Sequence, residues 1–159
     1  MYERILVPLD GSKTGEAALP YVEELVTKLL PNTKVEVILL QVVSSLTYYV
    51  IAGEASPPVP YTEEEIAQLK RQAVDYLNKV GETLSSKGVT VTTKVMMGNA
   101  AEEIIREADE TDATLIAMST HGRSGLSRWA FGSVAGKVLR GVSSPIILVR
   151  TRLVESAPV

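Results

Sequence analysis

Short apolar, β-branched runs alternate with stretches of helical period along almost the whole chain, and this alternation limits the fold more than any other feature. The runs are RILVPL (4–9), KVEVILLQVV (34–43), VTVTTKVM (89–96), TLIAMS (114–119) and PIILVR (145–150). The first intervening stretch repeats Ala18, Tyr21, Val22, Leu25, Val26 and Leu29 at helical spacing and stops at Pro31. The second opens on a capping box, Thr62 and Glu65, carries the stripe Ile66, Leu69, Ala73, Tyr76, Leu77, Val80 and Leu84, and has Gly88 as its stop. A third begins at Asn99, with Glu102 in reach of the cap, and buries Ala101, Ile104, Ile105 and Ala108. The last carries Val134, Ala135, Val138, Leu139 and Val142 and stops near Gly141. The order β-α-β-α-β-α-β-α-β predicts one α/β domain over 1–150, with a parallel sheet covered by helices on both faces, and a short tail at 151–159.

Three segments carry more than periodicity. VTVTTKV alternates apolar and polar residues, with Lys94 inside it, as suits an exposed sheet edge. Ile146, Ile147, Leu148 and Val149 are apolar throughout although they form the last strand. An uncovered apolar edge invites pairing, so a homodimer through this strand is expected, the alternative being a tail that folds back over it. Residues 44–61 break the rhythm, and Pro57, Pro58 and Pro60 argue against regular structure there. So long a connection reads either as a lid or as a surface insertion.

Composition narrows the function. With 159 residues the chain can bury a core unaided, and a net charge of −3 with scattered Lys and Arg gives no footprint for nucleic acid or an anionic membrane. The absence of cysteine removes disulfides, thiolate catalysis and Cys-ligated metals. The opening residues lack a basic region followed by an apolar core, so no signal peptide is expected, and a cytoplasmic location is the default.

In open parallel sheets, ligands sit beyond the carboxyl ends of the strands. After the first strand comes Asp10-Gly11-Ser12; after the fourth comes STHGRSGLSRWAFGS, a small-residue segment ending at a helix start. Gly122 and Gly125 let the backbone approach an anion, and Gly132-Ser133 opens a helix whose free N–H groups favour negative charge. The hydroxyls of Ser119, Ser124 and Ser133 and the guanidinium of Arg123 add donors. Asp10 suits a ribose hydroxyl or a metal; the plainer reading is a helix cap or Asx-turn. His121 lies in the same segment, but the sequence names no partner to orient it as a base, so a packing or hydrogen-bonding role is expected. Met118 fills space near the strand end, and Trp129 and Phe131 anchor the segment to the core. GSVAGKV (132–138) is one residue short of a Walker A loop and lacks its Ser/Thr, and no GxGxxG is present.

The segment resembles the signature of the universal stress protein family: Gly, two residues, Gly, nine residues, then Gly-Ser/Thr. Gly122 and Gly132-Ser133 match its later part, while Ser119 stands where the first glycine would be. ILVPLDGS, ILLQVV, GNAAEEI and PIILVR are similar to further landmarks of that family, and the likeness covers about residues 2–150. It implies a Rossmann-like, adenine nucleotide α-hydrolase-like sheet of order 3-2-1-4-5 and a homodimer through the last strand. It also implies ATP, or another adenine nucleotide, as ligand. Carried over, Pro8 and Asp10 would flank the adenosine, Val42 would contact adenine beside Met118, and Ser119 to Gly125 with Ser133-Val134 would hold the phosphates.

Mg²⁺ or Mn²⁺ is expected to be shared among phosphate oxygens and water. No residue is visibly placed to activate water, so regulated binding in a stress-response module is expected over turnover. A slow ATP hydrolase or phosphotransferase and a nucleotide-free interaction protein of the same fold are the alternatives.

Overall fold

The computed structural model describes residues 3–29, 33–47, 50–51, 54–55, 57–122 and 132–152. The apolar runs become the strands β1 (Arg4–Leu9), β2 (Glu36–Val43), β7 (Thr90–Met97), β8 (Leu115–Gly122) and β9 (Ile146–Arg152). They form one five-stranded sheet of order β7-β2-β1-β8-β9, all pairs parallel. Counting only these strands, the order is 3-2-1-4-5. The helices are α1 (Leu19–Leu29), α2 (Glu63–Ser85), α3 (Ala100–Glu110) and α4 (Ser133–Gly141), with a 3₁₀ turn over Gly15–Ala18 ahead of α1.

Because successive strand residues face opposite sides, the two faces of the sheet build separate cores. Ile5, Val7, Val37, Leu39, Leu115 and Ala117 pack with Val22 and Val26 of α1 and Leu77 and Leu84 of α2. Leu6, Ile38, Leu40, Ile116 and Met118 pack with Ala101, Ile104 and Ala108 of α3 and Ala135 and Val138 of α4. Strands buried on both sides read as continuous apolar runs, as the central ones do here.

Several expectations need correction. Tyr21 is 55% exposed, because the chain enters α1 through the 3₁₀ turn and the inward face passes through Ala18, Val22 and Val26. Val134 and Leu139 lie on the outer face of α4, which turns Ala135, Gly136 and Val138 inward. β8 runs three residues past Ser119, since β9 supplies parallel partners as far as Arg152. Ser119 to Gly122 is therefore strand rather than loop. The prolines do not keep 44–61 irregular: β3 (Leu46–Thr47) pairs with β6 (Val59–Pro60), and β4 (Val50–Ile51) pairs with β5 (Glu54–Ala55). A two-residue ribbon is all edge, where a proline removes no central ladder bond. The expected helix stop at Pro31, the packing of Trp129 and Phe131, and the end of the tail lie outside the described residues.

The edge reading of β7 holds, and Lys94 has a specific task there. It pairs with Glu107 of α3, whose side chain is 1% exposed, tying the helix to the outermost strand. Among the described residues, no helix is long and apolar enough to cross a membrane.

Candidate functional site

The carboxyl ends of β1 and β8 lie side by side where the winding direction reverses, and a cavity of about 300 Å³ opens there. Pro8, Asp10, Val42, Met118, Ser119, Gly132, Ser133 and Val134 all line it. His121 and Gly122 continue β8, in register with Thr151 and Arg152. Arg123, Ser124 and Gly125 lie outside the described residues.

One wall is apolar: Leu40 and Val42 from β2, Met118 from β8, and Ala100 and Ile104 from α3. The opposite rim is polar. Asp10 Oδ1 accepts from the Ser12 N–H at 2.9 Å and from the Ser12 hydroxyl at 2.6 Å, and Ser12 Oγ in turn accepts from the Gly15 N–H at 2.9 Å. The Asx-turn reading of Asp10 is thus realised, and the residue lines the cavity as well. Among the described residues, Asp10 Oδ2 has no hydrogen bond.

Ser119 faces the other way. Its Oγ accepts from the Ala18 N–H at 2.9 Å and donates to the Gly15 carbonyl at 3.0 Å, locking β8 to the 3₁₀ turn. The hydroxyl that replaces the first glycine of the signature is therefore engaged in holding the turn that presents Asp10. Thr120, one residue on and 5% exposed, lies on the cavity side, and its Oγ1 accepts from the Gly132 N–H at 3.2 Å. That bond brings the start of α4 against the end of β8.

The helix starts differ in a way that bears on ligand binding. Thr62 and Glu65 cap α2 reciprocally, and Asn99 accepts from the Glu102 N–H to cap α3. At α4 the cap is Gly132, with no side-chain hydrogen bond to the first turn. The amides of Ser133, Val134 and Ala135 have no intrahelical acceptor by position, and all three residues line the cavity. Three N–H donors and the positive end of a helix dipole thus meet there, with no capping side chain among the described residues.

Sequence reasoning missed Thr14, Gly15, Leu40, Ala100, Ile104 and Ala135, and did not single out Thr120 within the Ser119–Gly125 segment. Ile104 reads only as helix core, Ala100 only as part of the GNAAEEI landmark, and Thr120 only as a member of the Ser119–Gly125 segment. On the far side of Asp10, the Tyr76 hydroxyl donates to Glu16 Oε1 at 3.1 Å. Burial, then the carboxylates of Glu16 and Asp10, push this phenol above its ordinary range. Among the described residues, no group of three or more His, Cys, Asp or Glu could hold a metal ion.

The universal stress protein family model matches residues 1–150. Universal stress protein MJ0531 of Methanocaldococcus jannaschii is 29% identical over 151 residues, covering 94% of this chain and 83% of the relative. The solved structure of MJ0577, from the same organism, superposes with a TM-score of 0.73 at 26% identity, covering 96% of this chain and 99% of that one. An Arabidopsis thaliana universal stress protein family protein with AMP bound has a TM-score of 0.62 at 15% identity, covering 98% and 95% of the two chains. On its fold, its landmarks and its match over residues 1–150, the chain belongs to the universal stress protein family.

Proposed function

We propose that this protein is an adenine-nucleotide-binding regulatory module, with ATP held in the cavity between β1, β8 and α4. The uncapped first turn of α4 opening into that cavity carries the reading. An anion there would satisfy amides that no side chain serves among the described residues. The apolar wall of Leu40, Val42, Met118 and Ile104 suits a flat base, and Asp10, with Oδ2 unbonded among the described residues, suits a ribose hydroxyl. The AMP bound to the Arabidopsis relative supports an adenine nucleotide as the class of ligand.

Binding, rather than turnover, is the proposed activity, since Asp10 is anchored through Oδ1 as part of a turn. Mg²⁺ or Mn²⁺ would arrive with the phosphates; the carboxylate and hydroxyls lining the cavity suit such hard cations. The protein would act as a homodimer in the cytoplasm. Ile146 to Val149 on β9, paired among the described residues on one side only, with β8, would meet a second copy.

Thermal melting with and without ATP tests the binding claim. ATP at a hundredfold excess over Kd stabilises by about 2.7 kcal/mol, a rise in Tm of roughly 5–10 °C for a chain of this size. No shift, together with no nucleotide retained through gentle purification, refutes it.

A further inference from the structure

Side chains alternate along β8. Met118 joins the core on the α3–α4 side, where the nucleotide cavity opens, while the Ser119 hydroxyl turns to the other side, against the 3₁₀ turn. The turn spans Gly15 to Ala18, and the two bonds of that hydroxyl fall on its first and last residues. One Oγ atom, accepting from the Ala18 N–H and donating to the Gly15 carbonyl, thus clamps both ends of the turn to the sheet. A glycine at this position, as in the family signature, has no atom that could do so.

The clamped residue is the one that packs on Asp10. A β-carbon on Gly15 would meet Asp10 Oδ1, and the Gly15 N–H donates to Ser12 Oγ, which itself donates to that same Oδ1. Ser119, Gly15, Ser12 and Asp10 therefore form one contiguous path. The terminal torsion of an aspartate side chain is soft, so the direction of Oδ2 is set by whatever holds Oδ1. Slack at Gly15 becomes rotation of the carboxylate that borders the cavity. Hydrogen bonds weaken steeply as they bend, so a rotated carboxylate loses its hold on a hydroxyl. The apolar wall of Val42, Met118 and Ile104 and the amides of α4 stand on other elements and keep their places.

We propose that Ser119 is a positioning residue that sets the sugar preference of the nucleotide site: by clamping Gly15 and Ala18 it fixes Asp10, and the chain thereby selects nucleotides that carry ribose hydroxyls. The inference rests on the reading of the cavity as a nucleotide site with Asp10 at the ribose. A hydroxyl donating to a carboxylate makes a charge-assisted bond, strong enough to discriminate against an analogue that lacks it. The hydroxyl that replaces the signature's glycine acts on the sugar, through Asp10, and not on the phosphates.

The test is isothermal titration of the full chain with ATP and with 2′,3′-dideoxy-ATP, which lacks both ribose hydroxyls. The parent should prefer ATP about tenfold, as a hydrogen bond to a charged group requires. Ser119→Ala and Ser119→Gly should each cut that preference to about twofold or less, weakening ATP while leaving the dideoxy analogue unchanged. Asp10→Ala should do the same, and adding Ser119→Ala to it should change neither affinity further, because both residues act on one contact. A merely structural role for Ser119 would weaken both ligands alike and preserve their ratio. Equal binding of the two ligands by the parent, a preserved ratio in both Ser119 variants, or additive losses in the double variant would overturn the proposal while leaving the nucleotide reading standing. Binding of neither ligand to the parent would refute the nucleotide reading, and this proposal with it.

Discussion

Asp10 and Gly15 approach so closely that a β-carbon on Gly15 would lie 2.3 Å from Oδ1 of the aspartate. The 3₁₀ turn closes over the carboxylate only because residue 15 has no side chain. Gly15→Ala should therefore displace Asp10 and break its bonds with Ser12. We expect ATP affinity to fall about tenfold, equivalent to about 1.4 kcal/mol, with the helical circular dichroism signal retained. Isothermal titration of the purified variant checks this.

Thr120 and Gly132 make the second such contact, across the cavity floor. Thr120→Val keeps the shape but removes the acceptor for the Gly132 N–H. The expected loss of stability is about 1–2 kcal/mol by urea unfolding, the cost of one unmade hydrogen bond. A loss of nucleotide affinity should accompany it, because this bond sets the start of α4 against β8. Unchanged stability would remove Thr120 from the site's framework.

The Lys94–Glu107 pair gives a prediction away from the ligand. Glu107 is 1% exposed, so Lys94→Met strands a buried carboxylate and should cost about 3 kcal/mol. The double variant Lys94→Met, Glu107→Leu should recover most of that loss, since an apolar pair can replace a buried ion pair. Denaturant unfolding of the three proteins gives the comparison.

Tyr76 predicts a dependence on alkaline pH. Its phenol is held above its ordinary value in the folded chain, so the neutral form is favoured by folding. This contribution is fully present below the titration of a free phenol, at about pH 10, and is lost as pH rises beyond it. Tyr76→Phe should flatten that part of the stability profile and remove about 1 kcal/mol at neutral pH, the bond to Glu16. Ultraviolet titration should show one phenol fewer ionising late.

These contacts show why the sequence revealed the fold better than the site's details. The strands were legible because β1, β2 and β8 are buried on both faces, and a continuous apolar run announces that. Thr62 and Asn99 announced helix starts by local chemistry, and the structure keeps both caps. Asp10 was legible by place, immediately after the first strand.

The contact of Ser119 was not legible, because it joins residues more than a hundred positions apart through a 3₁₀ turn that periodicity reads as helix. The length of β8 was missed for a related reason. Thr120, His121 and Gly122 have loop composition and become strand only because β9 lies beside them. Glu107 looks like a surface charge until the topology sets α3 against the Lys94 edge.

The central claim is that the bare first turn of α4 binds the phosphates of ATP. Gly132→Asp tests it most directly. Gly132 has φ −53° and ψ 158°, which any residue can adopt, and aspartate is a good helix cap. The variant should fold at least as stably as the parent while its carboxylate occupies the amides and repels phosphate. Isothermal titration with ATP should show the parent binding and the variant at least tenfold weaker. Equal ATP affinity in the two proteins would contradict the account.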